Sequence, residues 1–201
     1  ITLLKNDCIV QLVDSKTDIN EIKNLINSYK PSYICSSDNW FKINKLKNSN
    51  LKNIFSIYEA STYKTSFNNK SKKYNKSLSI LMPTSGSMGS KKYVRISKKN
   101  IYENTKSIIT YLKLNYKERS ITSMPFCYSY MLSVINSHLD CGGSIFVTDE
   151  TIVQHKFWDS FKKYKITNFN GVPYHYDILL KLGLDKIYNN NLRFLTQAGG
   201  K

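Results

Sequence analysis

Several features that would assign a function class are missing from this sequence of 201 residues. No uninterrupted apolar run approaches the ~20 residues that span a bilayer, so no membrane span is predicted. The four cysteines do not form a C-x-x-C pair, which argues against a zinc site or a redox pair. Nothing indicates a disulfide framework either, and we therefore expect a cytoplasmic protein in a reducing compartment.

Arginine is scarce as well. Only Arg95, Arg119 and Arg193 occur among 30 basic residues, which face 14 acidic ones and give a net charge of +16. Proteins that read nucleic acids favour arginine for its bidentate fork. The lysines are spread along the chain together with much Asn, Ile and Tyr, and this favours compositional drift over a polyanion site. We expect no nucleic-acid partner; a basic nucleic-acid-binding module is the chief alternative that is not an enzyme.

Two common nucleotide-binding fingerprints are absent, but residues 84–92 combine residue types that bind polyphosphates. A Walker A loop would need a glycine, four residues and then Gly-Lys-Ser/Thr, and a dinucleotide fingerprint would need G-x-G. Glycine lets the backbone approach an anion, while hydroxyl groups and a closing lysine supply donors and charge. The candidate phosphate-binding residues are Thr84, Ser85, Gly86, Ser87, Gly89 and Lys92. By themselves they leave open whether the segment is an anion-binding loop or a flexible hairpin tip.

The apolar pattern along the chain alternates between strand and helix periods. Asp18 and Glu21 mark a helix start and Pro31 its end, while Ser97 can cap a helix that runs to about Leu114. Further helices are predicted over residues 130–139, 154–164 and 173–182, and strands over 9–13, 33–35, 54–58, 62–67, 78–82, 92–96, 121–124, 144–147, 167–169 and 192–196. The alternation predicts an α/β fold with a largely parallel sheet and helices on both faces, in which residues 9–35 form one β-α-β unit.

The segment that begins at Thr84 resembles the core motif of the adenylate-forming (AMP-binding) superfamily, which includes acyl-CoA synthetases, luciferases and the adenylation domains of peptide synthetases. The usual motif is Thr-Ser-Gly-Thr-Thr-Gly-x-Pro-Lys-Gly-Val, followed by Ser-His-x-Asn. The matching positions are Thr84, Ser85, Gly86, Gly89, Lys92, Val94, Ser97 and Asn100, and Ser87 keeps the hydroxyl group. The departures are Met88, Lys91, Tyr93 and Lys98, of which Met88 replaces a hydroxyl residue and Lys91 a proline.

Three later stretches resemble further motifs of the superfamily, in the same order. Residues 124–130 resemble the motif in which proline precedes an aromatic residue or histidine beside the acyl pocket, with Tyr128 in that place and Met131 where many members have glycine. Residues 170–173 are similar to the Val-Pro before a helix, and residues 192–200 to the strand and Gly-Gly turn that border the adenine and acyl sites. The resemblance implies a nucleotide and acyl pocket that contains Tyr128, Val172, Pro173, Ala198, Gly199 and Gly200.

The resemblance also implies an acid–thiol ligase of the acyl-CoA synthetase kind. In the superfamily a carboxylic acid attacks the α-phosphorus of ATP, pyrophosphate leaves, and a thiol of CoA or of an acyl or peptidyl carrier protein accepts the acyl group. Lys92 as catalytic residue, the loop hydroxyls and Mg²⁺ would hold the β- and γ-phosphates by positioning and charge stabilisation. No metal ligand is expected within this chain. Because Cys127 stands where amino-acid-activating members carry Asp, we expect an acyl or aryl acid, with an amino-acid-activating domain as the alternative.

Both ends of the sequence look cut, since it begins at Ile1 and ends in a loop signal. We expect residues 1–77 to be an incomplete α/β portion that ends in a basic linker, and residues 78–201 to be a nucleotide-binding α/β portion with the phosphate loop on a β-hairpin. Both would belong to one truncated N-terminal domain. In the superfamily layout the Mg²⁺-binding acid, the ribose-binding aspartate and the C-terminal lysine follow later, so we expect this piece alone to be inactive. A catalytically dead relative that keeps only the fold is a further alternative.

Overall fold

The computed structural model describes residues 8–43, 51–67, 74–84, 92–183 and 190–200. These residues fall into two compact units. The first unit contains residues 8–12, 77–84 and the described part of 92–200, and the second contains the described residues between 13 and 76. Both units combine helices with strands, so the predicted α/β class is confirmed.

The elements of the described residues are numbered here in chain order. The strands are β1 (Val10–Gln11), β2 (Tyr33–Ser37), β3 (Lys52–Ile57), β4 (Ala60–Lys64), β5 (Leu78–Pro83), β6 (Tyr93–Ser97), β7 (Arg119–Ile121), β8 (Ser144–Phe146), β9 (Asn168–Gly171) and β10 (Phe194–Gln197). The helices are α1 (Ile19–Tyr29), α2 (Asp38–Ile43), α3 (Lys98–Leu112), α4 (Ser129–Asp140), α5 (His155–Lys163) and α6 (Pro173–Leu182). None of these helices is long and apolar enough to cross a membrane.

The second unit is an antiparallel sheet in the order β2-β4-β3, accompanied by α1 and α2. The carboxylate of Asp18 begins α1 as predicted, because it accepts hydrogen bonds from the backbone N–H groups of Asn20 and Glu21 at 2.8 and 3.4 Å. The core of this unit is small and forms around the fully buried ring of Phe41, which lies 4.4 Å from the Tyr63 ring between centroids.

The first unit contains two groups of strands. In the first group β5 lies between β1 and β6, parallel to β1 and antiparallel to β6. In the second group β7 pairs with β8 and β9 with β10, both in parallel. The loop residue Thr167 joins β7 to β9: its N–H donates to the Arg119 carbonyl at 2.8 Å, and its hydroxyl accepts from the Arg119 N–H at 2.9 Å. The order across this group is therefore β8-β7-β9-β10.

A largely parallel sheet is not confirmed. The described strands form four small sheets, and three of their six strand pairs are antiparallel. The predicted β-α-β unit of residues 9–35 is wrong, because β1 pairs with β5 while β2 pairs antiparallel with β4. In the second unit the two-residue turn of Tyr58 and Glu59 makes β3 and β4 an antiparallel hairpin, and β2 pairs with the other edge of β4. Parallel neighbours would need a crossover of about a dozen residues.

The two faces of β9 meet different helices. Phe169 packs against the rings of Phe157 and Phe161 on α5, at centroid distances of 6.3 and 6.4 Å, within the main apolar core. On the opposite face, the Asn168 side chain contacts His138 of α4. Successive side chains of a strand point to opposite faces, so β9 lies between α4 and α5 with one apolar and one polar side.

Candidate functional site

The two ends of the predicted phosphate loop lie side by side. Thr84 follows β5 and Lys92 precedes β6. The Thr84 N–H donates to the Lys92 carbonyl oxygen at 2.9 Å, and the Thr84 hydroxyl donates to the same oxygen at 3.2 Å. The Lys92 residue is exposed. Residues 85–91 lie outside the described residues, and with them the candidates Ser85, Gly86, Ser87 and Gly89.

The last two matching positions of the loop motif form a helix cap. The Ser97 hydroxyl oxygen accepts from the Asn100 N–H at 3.1 Å, and the Asn100 side-chain oxygen accepts from the Ser97 N–H at 3.2 Å. This reciprocal pair is a capping box, which satisfies two N–H groups at the start of α3. The cap predicted at Ser97 is thus confirmed, and these motif positions set the turn from β6 into α3.

Five of the predicted pocket residues cluster where the parallel strands β9 and β10 end. Val172 and Pro173 begin α6, and the Ala198 N–H donates to the Gly171 carbonyl at 3.3 Å. Gly200 has φ +75°, and a Cβ added there would lie 2.7 Å from Cγ of Pro173. Only glycine accepts both the backbone conformation and this close approach without strain. The carboxyl ends of parallel strands are a common place for ligand sites.

The first turn of α4 borders the same region. Tyr128 caps α4 and is half-exposed, and its N–H donates to the Pro125 carbonyl at 3.1 Å. Two residues further, the Tyr130 phenol lies 2.5 Å from the Thr196 hydroxyl of β10. The structure therefore brings the start of α4, which carries Tyr128, next to the strand that leads to Ala198, Gly199 and Gly200.

Buried polar side chains form a network of hydrogen bonds that leads to this region. His138 Nδ1 lies 2.8 Å from the Val134 carbonyl, which can only accept, so Nδ1 carries the proton. Nε2 of the neutral ring then accepts from the Asn168 amide at 3.0 Å. The same Asn168 amide group lies 3.4 Å from a carboxylate oxygen of Glu118. Together with the Thr167 hydroxyl oxygen at 3.1 Å, these acceptors fix the orientation of the Asn168 side chain.

The network continues from β9 to Tyr130 on α4. The Asn170 amide donates to the Asn168 side-chain oxygen and to the Ser120 hydroxyl, both at 2.8 Å. The Asn170 side-chain oxygen accepts from the Thr196 hydroxyl at 2.6 Å. Because that proton is used, the short contact between Thr196 and Tyr130 has the phenol as donor. Side chains from β7, β9, β10 and α4 are thereby joined in one network.

Burial shifts the pKa values of several groups around this network. Burial lowers the pKa of His138 below its ordinary value, although its hydrogen bonds to Val134 and Asn168 oppose the shift. Burial raises the pKa of Tyr130, and it raises that of Tyr176 to about 12. His175 also has a lowered pKa because of burial, and its buried Nδ1 has no hydrogen-bond partner in the described structure. At neutral pH these four groups are uncharged.

Glu118 is the network member that sequence reasoning missed most clearly. It is fully buried, its carboxylate accepts from the Thr167 hydroxyl at 2.7 Å, and it forms an ion pair with Arg193. A single acidic residue before a strand carries no sequence signal for such a role. Asn168 and Asn170 did carry one, since two amides at alternating positions of an otherwise apolar strand indicate a shared polar face.

The acidic, cysteine and histidine side chains are the groups that could hold a metal ion. Within the described ranges, no three of them come close enough to hold a metal ion. The described part of the chain therefore supplies no Mg²⁺ site, and no step of the chemistry is assigned to a metal held by it. The four cysteines all lie in described ranges, and none of them is disulfide-bonded.

The sequence profile of a family described as AMP-binding enzyme matches residues 2–201. The chain belongs to the AMP-binding enzyme family. The match covers the loop motif, the stretch around Tyr128 and the Gly-Gly turn, so the family recognised from these residues is confirmed.

Several solved structures share this fold. The o-succinylbenzoate CoA synthetase MenE of Bacillus subtilis, in complex with its acyl-adenylate intermediate, aligns with a TM-score of 0.66 and 15% identity over 96% of this chain and 50% of that chain. ATP-bound MatB from Rhodopseudomonas palustris aligns with a TM-score of 0.51 and 23% identity, over 60% of this chain and 24% of that chain. The N-terminal domain of FACL13 from Mycobacterium tuberculosis gives 0.54 and 16%, over 60% and 30%. The chain spans between about a quarter and a half of these proteins.

Proposed function

We propose that the protein containing this chain activates a carboxylic acid with ATP. The carboxylate oxygen attacks the α-phosphorus, the bond to the bridging oxygen of pyrophosphate breaks, and an acyl-adenylate forms. A thiol, of CoA or of a carrier protein, then displaces AMP and takes the acyl group. The observation that carries this proposal is the family match over residues 2–201, which includes the glycine and hydroxyl loop at residues 84–92.

The phosphate loop would hold the leaving pyrophosphate. Lys92 would place a positive charge beside the β- and γ-phosphates, and Thr84 with the hydroxyls of Ser85 and Ser87 would donate hydrogen bonds to them. The exposure of Lys92 supports this role, since an exposed ammonium group can reach a nucleotide phosphate. No catalytic base is required, because the attacking carboxylate is already ionised. Mg²⁺ would be bound by residues outside this chain.

The nucleotide and acyl pocket would lie at the carboxyl ends of β9 and β10. Its support is the clustering of Val172, Pro173 and residues 198–200 there, with α4 beginning nearby. Tyr128 would form one wall of the acyl part of the pocket through its half-exposed ring. The backbone of the Gly-Gly turn would border the adenine, because the absence of Cβ atoms allows a flat ring to approach closely.

The acid would be an acyl or aryl acid rather than an α-amino acid. Cys127 stands where the amino-acid-activating members of the superfamily have an aspartate. Its side chain is 5% exposed, and a neutral thiol there cannot form an ion pair with a substrate ammonium group. A buried ammonium without a counter-charge is strongly disfavoured, so the substitution selects against amino acids.

Pyrophosphate exchange tests the main proposal. The product of the full open reading frame that contains these residues is incubated with ATP, labelled pyrophosphate and a panel of fatty, aryl and amino acids. We expect exchange that depends on a fatty or aryl acid, and hydroxylamine should trap the adenylate as a hydroxamate. Exchange only with amino acids would support the alternative substrate class. No exchange with any carboxylic acid, from a folded protein, contradicts the proposal.

The 201 residues alone would not complete this reaction. We infer this because the chain aligns with at most about half the length of the solved structures described above. In addition, the described residues contain no metal site. The same exchange assay on the 201-residue chain should show no acid-dependent signal. Robust turnover by this chain would contradict the inference without touching the proposed reaction.

A cytoplasmic location is proposed as well. Four cysteines without a disulfide among them fit a reducing compartment. Cell fractionation with an antibody against the native protein tests this, and recovery from an oxidising compartment contradicts it.

A further inference from the structure

Thr196 is the meeting point of the elements that carry the predicted pocket. Its hydroxyl lies 2.5 Å from the phenol of Tyr130 on α4 and donates to the Asn170 side-chain oxygen of β9 at 2.6 Å. Its carbonyl accepts from the Tyr176 phenol of α6 at 2.6 Å. Thus α4, β9 and α6 each make a short hydrogen bond to one residue of β10, two positions before Ala198.

The buried side chains of Asn168 and Asn170 decide which group donates in each hydrogen bond at Thr196. Glu118 and His138 both accept from Asn168, so the side-chain oxygen of Asn168 faces Asn170 and receives its amide proton. Asn170 therefore turns its own oxygen toward Thr196. A hydroxyl has a single proton, and with that proton committed to Asn170, Thr196 accepts from Tyr130. The phenol of Tyr130 is held in one orientation by a network that is buried at its base.

We propose that Thr196 is a positioning residue for the carboxylic-acid site, because its hydroxyl ties the first turn of α4 to the carboxyl ends of β9 and β10. This inference rests on the proposed function. Tyr128 lies two residues before Tyr130, so a fixed Tyr130 holds in place the backbone from which the Tyr128 side chain projects. The phosphate loop sits on β5 and β6, in another sheet, and does not depend on this tie.

Loss of the hydroxyl should disturb acid binding more than ATP binding. In Thr196→Val the shape and β-branching remain, but the Asn170 oxygen and the Tyr130 proton lose their partner. Burial makes an unpaired Asn170 oxygen costly, and Tyr130 would turn toward water to find a new acceptor. The first turn of α4 then loses its fixed position. Because this turn carries Tyr128, the proposed wall of the acid pocket, the acid is held less well and its KM rises.

The test compares steady-state kinetics of four variants of the full-length protein in the exchange assay. Thr196→Val and Tyr130→Phe each remove one side of the tie and should raise the KM for the acid at least about tenfold, with the KM for ATP within about twofold. Thr196→Ser keeps the hydroxyl and should restore the wild-type KM. Thr65→Val is the matched control, because it removes a buried hydroxyl that donates to the Pro31 carbonyl at 2.6 Å in the other unit.

The outcomes separate this inference from the proposed function. If the wild-type protein shows no acid-dependent exchange, the proposed function fails and the positioning role fails with it. If the wild type is active but both Thr196→Val and Tyr130→Phe keep its KM for the acid, or change both KM values equally, only the positioning role is overturned. If Thr196→Val does not fold, the result for Tyr130→Phe decides whether the positioning role stands. In a fifth variant that combines Thr196→Val with Tyr130→Phe, additive effects would also contradict a shared tie.

Discussion

The guanidinium group of Arg193 forms an ion pair with Glu118, whose side chain is completely buried while that of Arg193 is 44% exposed. The pair joins the residue before β7 to the residue before β10. The backbone N–H of Arg193 also donates to the Thr167 carbonyl at 2.7 Å, so Arg193 is held by both its backbone and its side chain. It supplies the positive charge that compensates a carboxylate placed out of water.

Removal of the Arg193 charge should destabilise the first unit. Breaking a buried ion pair from one side costs about 3–5 kcal/mol, and the partial exposure of Arg193 lowers our expectation to about 2 kcal/mol for Arg193→Met. Urea denaturation followed by circular dichroism measures the free energy of unfolding. Lys106→Met is the matched control, because it breaks the exposed pair with Asp140 at 2.7 Å and should have a much smaller effect. Equal effects of the two variants would contradict a special role for Arg193.

The stability of the protein should fall as the pH falls below the ordinary pKa of histidine. Burial lowers the pKa of His138, so the unfolded chain binds a proton more readily than the folded one. The stabilising contribution is therefore complete above about pH 6.5 and is lost as the pH drops toward the folded pKa. His175 has a pKa lowered in the same direction.

Variants of the two histidines should separate their contributions. In His138→Gln the slope of unfolding free energy against pH, measured between about pH 5 and 7, should be smaller than in the wild type. His175→Gln should remove its own part, and the double variant should be flattest. A wild-type slope in His138→Gln would show that this ring does not contribute.

Alanine should be tolerated much better at Gly199 than at Gly200. Both glycines have nearly the same φ, +76° and +75°, so left-handed strain of roughly 1–2 kcal/mol applies to both. A Cβ on Gly200 would also lie 2.7 Å from Cγ of Pro173, while one on Gly199 would come no closer than 3.8 Å to Val172. Thermal unfolding should show the larger loss for Gly200→Ala. Equal losses would mean that β10 and α6 can separate without cost.

Lys92 should matter for ATP and not for the acid. Lys92→Met should raise the KM for ATP roughly tenfold or more, since a hydrogen bond to a charged group contributes about 1.5–3 kcal/mol. The control is Lys99→Met, which removes the same charge from an exposed position in the first turn of α3. A matching effect of Lys99→Met would reduce the role of Lys92 to that of general positive charge, and it would remove the support for a specific phosphate contact.

Local features were predicted well because their partners are close in sequence. Asp18 caps α1 through N–H groups two and three residues later, and Ser97 with Asn100 caps α3 within one turn. Lys30 takes a left-handed conformation just before Pro31, where α1 was predicted to end. Such bonds are decided by a few backbone angles, so residue type and spacing are sufficient to predict them.

The pairing of strands was predicted less well. The alternation of strand and helix patterns indicated a largely parallel sheet, but β3 and β4 form a hairpin and β2 joins it. Periodicity reports which side of a strand is buried and not which strand lies beside it. The turn at Tyr58, with φ +52° in a residue that rarely adopts it, carries no strong sequence signal.

The sequence by itself determined the family, the phosphate-loop motif and the helix starts, because these depend on residue types at fixed short spacings. Only the tertiary structure decided that Tyr130 meets Thr196 across 66 residues and that Glu118 is neutralised by Arg193. A threonine that faces water and one that orients a tyrosine look alike in a sequence. The difference arises when packing removes water and leaves each buried polar group only a few partners within reach.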